Sequence, residues 1–157
     1  MKTVLFVCYA NTARSVMAQA LLEQLLQQRD GNHAIRVRSA GIAPYARDGM
    51  LPSLDARLAL REEGIQLDED AFRSTDLRQH RDLITEADLI VTMTVDQQRL
   101  LGELPEARGR SVLTLRELAG EAGDIADPAA QDEAVFRACR DEIKRCLVKS
   151  LSRLLRL

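Results

Sequence analysis

Cysteine and histidine are scarce in this 157-residue chain, which has three of the first and two of the second. An odd number of cysteines at irregular spacing, Cys8, Cys139 and Cys146, is neither a disulfide framework nor a metal-ligand pattern. It suits a reducing cytosol. His33 and His80 stand far apart in sequence, so no zinc set is expected, and no other cofactor is called for. A dominant charge is also missing. The 22 basic and 24 acidic residues give a formal net charge of −2, spread without runs of one sign. Neither nucleic acid nor an anionic membrane is therefore an expected partner. No apolar stretch approaches the roughly 20 residues that a membrane helix needs. The apolar run after Lys2 is short and meets polar residues without a small-x-small cleavage pattern, so a first strand explains it better than a secretion signal. No G-x4-G-K-[ST] follows a strand, which excludes a P-loop nucleotide site. Repeats and low-complexity segments are absent, and the length suits one domain over 1–157. A soluble, cytoplasmic protein is expected.

What the chain does have is Cys8-Tyr9-Ala10-Asn11-Thr12-Ala13-Arg14-Ser15, set between the apolar run Val4-Leu5-Phe6-Val7 and a helical pattern that starts near Ser15. A strand and a helix that hold such a short loop point successive backbone N–H groups into one concavity. The helix adds its unpaired N–H groups and the positive end of its dipole. A nest of this kind binds a tetrahedral oxyanion, and Arg14 adds a planar grip on two of its oxygens. The same field favours a thiolate at Cys8, the nucleophilic form. Ser15 is placed to cap the helix or to hydrogen-bond the sulfur. Transfer of a phosphoryl group onto sulfur fits these residues. A lone C-x5-R match also arises by chance, and an inert core cysteine is the competing reading.

The pattern along the chain supports the first reading. Residues 2–8 read as a buried strand. Residues 15–29 read as a helix with Met17, Ala20, Leu21, Leu25 and Gln28 at helical spacing, ended by Asp30-Gly31-Asn32. Residues 35–39 alternate as a second strand. This is a βαβ unit with parallel strands and a right-handed crossover, and ligands in such sheets bind beyond the carboxyl ends of strands, where Cys8 lies. A loop over 39–49 follows, then a helix over 53–63 capped by Ser53, with Leu54, Leu58 and Leu60 apolar and Gly64 as its stop. A third strand spans 88–93, a helix 95–103 is stopped by Leu104-Pro105, and a fourth strand spans 111–115. A loop over 119–127 leads to a long helix, 131–156. Val135, Cys139, Ile143, Cys146, Leu147, Ser150, Leu151 and Leu154 form its apolar stripe. Cys139 and Cys146 lie two turns apart, roughly 10 Å, too far for a disulfide.

These residues resemble the low-molecular-weight protein tyrosine phosphatase family, which includes protein arginine phosphatases and thioredoxin-coupled arsenate reductases. The family loop C-x-G/A-N-x-C-R-S stands here as C-Y-A-N-T-A-R-S, S-A-G follows at 39–41, and A-D-L-I-V-T-M-T spans 87–94. The resemblance implies a three-layer αβα fold, α/β in class, whose four-stranded parallel sheet has the order 2-1-3-4 and is flanked by helices. It implies a metal-independent hydrolase acting on phosphorylated protein side chains, as a monomer or weak homodimer. It makes Cys8 the nucleophile and Arg14 the anchor, with phosphate bound by the loop from Tyr9, Ala10, Asn11 and Thr12 through Ala13 and Arg14 to Ser15. Asn11, tolerant of left-handed backbone angles, holds the loop's shape. Asp127 in Asp127-Pro128 matches the family's general acid, whereas residue type alone reads it as a turn or helix start. Ile125 and Ala126 are expected to desolvate its carboxyl, and Asp124 is the alternative acid. Tyr45 falls where family members often carry an aromatic wall, and Thr12, Tyr45 and Pro128 are assigned to the substrate cleft.

The departures from the family pattern carry their own expectations. Phe72 stands where a histidine usually braces the loop asparagine, which leaves Asn11 without that partner. Ala13 replaces a second loop cysteine, so peroxide is expected to inactivate Cys8 with no loop disulfide to protect it. Val16 replaces a proline after the loop serine. Ala129-Ala130 follow Asp127-Pro128 where tyrosine-specific members have aromatics, leaving Tyr9 and Tyr45 to supply a wall. Phosphotyrosine, hydrolysed through a cysteinyl-phosphate intermediate, is the leading substrate. Phosphoarginine is the alternative, because family arginine phosphatases carry threonine at the position of Thr12. Two lesser readings are arsenate reduction, for which Cys139 and Cys146 are badly placed, and a non-catalytic phosphate- or protein-binding domain.

Overall fold

Val4, Leu5, Phe6 and Val7 have no exposed surface, and that burial on both sides makes their strand the centre of the sheet. A computed structural model describes residues 1–29 and 34–157 of the chain. Strand β1 (Lys2–Cys8) is followed by helix α1 (Arg14–Gln28) and strand β2 (Ile35–Gly41), the expected βαβ unit. The helix stop read at Asp30-Gly31-Asn32, and His33, lie outside the described residues. Helix α2 (Leu54–Arg61), a 3-10 turn (Leu77–Gln79) and helix α3 (Asp82–Glu86) lead to strand β3 (Leu89–Thr92). Helix α4 (Val95–Gly102), a second 3-10 turn (Pro105–Ala107), strand β4 (Val112–Thr114), helix α5 (Leu115–Leu118) and helix α6 (Glu133–Leu155) complete the order. All pairings are parallel, in the order β2-β1-β3-β4, with Cys8 opposite Gly41 at the carboxyl edge.

Alternation along β1 sorts the core into two layers. Val4, Phe6 and Cys8 pack with α1, α2, α5 and α6, while Leu5 and Val7 pack with α3 and α4. The fold is thus a three-layer α/β sandwich, as the sequence resemblance implies. Among the described residues no helix is long and apolar enough to cross a membrane.

Local rules account for most boundaries. Ser53 accepts from Ala56 N and caps α2, and Gly64 takes φ +78° just after it. Thr94 and Gln97 form a reciprocal capping box at α4, and Thr114 and Glu117 do the same at α5. The second box corrects the fourth strand, which ends at Thr114; Leu115 is already helical. Helix α3 and the two 3-10 turns, too short to show a period, also lie outside the sequence reading. Three core assignments change. In α1, Leu22 and Leu26 are buried, whereas Leu25 is half-buried and Gln28 is exposed. In α2, Leu54 is exposed, and Ala56, Ala59 and Leu60 form the inner face. In α6, Phe136 is buried and Val135 only half so. Cys139 and Cys146 are buried and free, as the stripe implies.

Candidate active site

The loop between β1 and α1 is held from four directions. Cys8 O and Tyr9 O accept from Ile42 N (2.9 Å) and Ala43 N (3.0 Å), so the chain after β2 runs along its base. Thr12 O accepts from Ser53 N at 2.9 Å, which ties the loop's far side to the cap of α2. Gly41 lies so close beneath that a Cβ there would meet Tyr9 O at 2.7 Å and Ala10 C at 2.9 Å. Only glycine fits that approach, which gives the S-A-G match at 39–41 a physical reason.

The fourth hold is Asn11. It is fully buried, with φ 60° in the left-handed region, and its amide reaches both ways. Its Oδ1 accepts from Thr75 N at 2.9 Å and its Nδ2 donates to Ser15 Oγ at 2.8 Å. The missing histidine at 72 therefore does not leave Asn11 unbraced: a backbone N–H three residues further on supplies the partner. Phe72 instead lines a groove of about 340 Å³ beside α1, with Gln19, Glu23 and Ile65.

The sulfur of Cys8 is buried at the centre of this frame. Ser15 Oγ lies 2.9 Å from it, and Asn11 N donates to it at 3.3 Å. Ser15 is the second residue of α1, so of its two expected roles it serves the sulfur. The helix is capped by Ala13, whose side chain makes no capping hydrogen bond. The first N–H groups of α1 are thus left without a side-chain partner from the cap residue, the arrangement that suits an anion at a helix N-terminus.

Arg14 is 3 % exposed and aimed by two contacts. Its Nη1 donates to Ile125 O at 2.7 Å, and its Nη2 lies 3.5 Å from Asp127 Oδ2. Ile125 is itself fixed to the end of β3 by Ile125 N donating to Met93 O at 2.9 Å. The T-M-T stretch therefore carries the Asp127 loop. Asp127 stands over the loop with its side chain 52 % exposed, and its Oδ1 accepts from Ala129 N at 3.0 Å. The expected desolvation by Ile125 and Ala126 does not occur, because Ile125 turns into the core and Ala126 is exposed. Asp124, the alternative acid, has its Oδ1 accepting from Val95 N at 2.9 Å, at the start of α4.

Tyr9 and Tyr45 sit at the rim. The Arg14 guanidinium lies 5.7 Å from the centre of the Tyr9 ring, in cation–π range. The Tyr9 hydroxyl donates to Asp96, a bond that raises the phenol's pKa and lowers that of the carboxyl. Arg99 Nη2 donates to the same carboxylate at 2.7 Å. Sequence reasoning passed over Asp96, although its place in the first turn of α4, just beyond T-M-T, was available. Tyr45 is 66 % exposed on the turn that Ala43 ties to Tyr9, so it is not packed against the domain edge. Pro128 is buried and Thr12 half-buried, whereas Ala129 and Ala130 are exposed.

Behind the Asp127 loop, Cys139 Sγ lies 3.8 Å from Ala126 O, and burial pushes its thiol up to about 12. Among the described residues no group of three His, Cys, Asp or Glu side chains is arranged to hold a metal.

A parallel sheet that presents a buried cysteine, an arginine and a ring of loop amides at one strand end defines an enzyme class built around an oxyanion and a sulfur nucleophile. Comparison with known proteins gives the family. The model of the low molecular weight phosphotyrosine protein phosphatases matches residues 3–156, and the chain belongs to that family. It is 38 % identical to a protein-arginine-phosphatase of Geobacillus stearothermophilus, covering 90 % of this chain and 88 % of the relative. It is 35 % identical to a probable low molecular weight protein-tyrosine-phosphatase of Ralstonia nicotianae, covering 92 % and 90 %. Among solved structures, an arginine phosphatase from Geobacillus stearothermophilus superposes with a TM-score of 0.85 at 34 % identity, over 99 % of this chain and 94 % of that one. The chain is accordingly a hydrolase of the phosphatase type.

Proposed function

We propose that this protein removes phosphate from protein tyrosine side chains through a cysteinyl-phosphate intermediate. One observation carries the reading: Cys8, Arg14 and Asp127 converge on a single loop, with Arg14 held at 3.5 Å from Asp127 and its face on the Tyr9 ring. In the first step Cys8 Sγ attacks phosphorus while the loop amides and Arg14 hold the non-bridging oxygens. The bond to the leaving phenolic oxygen breaks, and Asp127 gives that oxygen its proton. In the second step water attacks phosphorus, Asp127 takes a proton from it, and the S–P bond breaks. Inorganic phosphate leaves and Cys8 returns as thiolate. Ser15, 2.9 Å from the sulfur, stabilises the charge that reappears there. The loop and Arg14 supply the positive field, so the scheme uses no metal.

The choice of phosphotyrosine rests on the two rim tyrosines, which offer flat faces to an aryl group in place of the aromatics missing at Ala129 and Ala130. A second substrate, phosphoarginine, is favoured by Thr12 and by the likeness to proteins named arginine phosphatases. Phosphate release from phosphotyrosine and phosphoarginine peptides, side by side, separates the two. Preference for phosphotyrosine supports the aromatic rim; preference for phosphoarginine makes Thr12 the specificity residue. Silence on both overturns the phosphatase reading in favour of an arsenate reductase or a binding domain.

A further inference from the structure

The brace on Asn11 continues to the molecular surface. Thr75, which donates to Asn11, is held on its other side by Gly41 N donating to Thr75 O at 2.8 Å. The next backbone N–H, that of Asp76, donates to Asp48 Oδ1 at 2.8 Å, and Asp48 Oδ2 lies 2.9 Å from His80 Nε2. An unbroken series of contacts therefore runs from Asp48 through segment 74–76 to Asn11, Ser15 and the Cys8 sulfur. Ser74 provides a separate, buried tether. It joins the same segment to turn 47–50, with Met50 N donating to Ser74 Oγ at 2.9 Å and Ser74 Oγ donating to Arg47 O. Backbone bonds hold the segment as well, with Gly49 N donating to Ser74 O at 2.9 Å and Ser74 N to Met50 O at 2.9 Å, and Asp48 adds the one charged, exposed side-chain acceptor among these contacts.

We propose that Asp48 is a positioning residue for the phosphate loop, acting through segment 74–76 and Asn11. The inference rests on the reading of that loop as a phosphate site. Asn11 adopts a left-handed backbone angle that asparagine tolerates, and its amide pins that conformation to Thr75 N and Ser15 Oγ. The histidine that braces this position in the family is Phe72 here, and Phe72 faces another groove. The Thr75 N–H replaces it, and a backbone donor is only as well placed as the segment that bears it. Asp48 fixes that segment one residue away. The Asp76 N–H and His80 hold the Asp48 carboxyl below its ordinary range, so the acceptor stays ionised near neutrality. Arg38, Arg73, Asp82 and Glu86 border the same open recess.

The test measures how well inorganic phosphate protects Cys8 from alkylation by iodoacetamide, using the full chain, and needs no turnover. D48A lies at the surface and leaves the Ser74 tether intact. It is expected to need about fivefold more phosphate for half-protection, the scale of one exposed charge-assisted hydrogen bond, with its thermal midpoint close to that of the parent. D48N keeps an oxygen for the Asp76 N–H and is expected to restore most of the protection. Equal protection in D48A and the parent overturns the proposal. So does a loss in D48A that D48N fails to repair. If phosphate does not protect Cys8 in the parent, the phosphate-loop reading itself falls, and this inference with it.

Discussion

Gly41 carries no functional group, yet the loop above it has no room for a methyl group. Replacing it with alanine puts a Cβ 2.7 Å from Tyr9 O, so the loop must shift. Activity of Gly41→Ala should fall by at least about tenfold, with a smaller change in thermal midpoint, because a displacement of a few tenths of an ångström misplaces the oxyanion donors. A variant with parental kcat/KM would show that the loop tolerates the shift. At Arg14, lysine keeps the charge but loses the planar fork, and its ammonium cannot serve Ile125 O and two phosphate oxygens together. Arg14→Lys should lower kcat by about 10²–10³-fold, the range for removing an oxyanion donor. Asp127→Asn cannot give up a proton, and steady-state kinetics should show kcat reduced by about 10²–10⁴-fold, most for poor leaving groups. The grouping of Cys8, Arg14, Ser15 and Asp127 was readable because side chains of these types, in this pattern, have few other uses. The support from Thr75 was not, since a backbone N–H has no residue-type signature. Phe72 therefore signalled a gap that the fold had already filled, and the solvent-facing Asp127 shows that apolar neighbours in sequence need not surround a side chain.

Element ends organise the site more than element interiors do. Helix α1 leaves its first N–H groups without a side-chain cap, whereas α2, α4 and α6 are each capped by a side chain, from Ser53, Thr94 and Asp132. The short helix α3 also lacks a side-chain cap, but of these two only α1 begins beside the sulfur, with Ser15 in its first turn 2.9 Å from Cys8 Sγ. The two capping boxes were legible as T-x-x-Q at 94–97 and T-x-x-E at 114–117, and reading the second would have ended the fourth strand one residue earlier. Strand β1 was legible as an apolar run, and its burial on both faces follows from the central position that the βαβ unit gives it. The core face of α1 was harder, because a helix packed against both the sheet and α6 buries more than one stripe. The cysteines on α6 give a test at this scale. Burial raises both thiols, Cys139 to about 12; Cys139 Sγ lies near Ala126 O and Cys146 Sγ accepts from Arg145. Iodoacetamide at neutral pH should label Cys8 alone in the folded protein, as read by peptide mass spectrometry. Labelling of Cys139 at a comparable rate would mean that the Asp127 loop opens widely in solution.

Across the whole molecule, charge is concentrated where the last helix docks. Arg140 of α6 is 8 % exposed and donates to Ala59 O at 2.8 Å and Glu62 at 2.7 Å, joining α6 to α2. Glu121 accepts from Arg145 at 2.6 Å and Lys149 at 3.1 Å, joining α6 to the loop after α5. These partners lower the Glu121 carboxyl from 4.5 to about 2. A depressed folded-state value means that this stabilisation is complete above about pH 4.5 and is lost as pH falls toward 2. Thermal melts between pH 5 and 2 should therefore show a shallower decline in Glu121→Gln than in the parent; parallel curves would remove Glu121 from the acid transition. This docking matters to the site because α6 also carries Cys139, which touches the Asp127 loop at Ala126 O. The central claim is the covalent step at Cys8. Acid quenching during turnover of a phosphotyrosine peptide, followed by mass spectrometry, should find a phosphoryl adduct on the peptide that contains Cys8, and Cys8→Ser should release no phosphate. Undiminished phosphate release by Cys8→Ser, or an adduct on any other residue, would contradict the account.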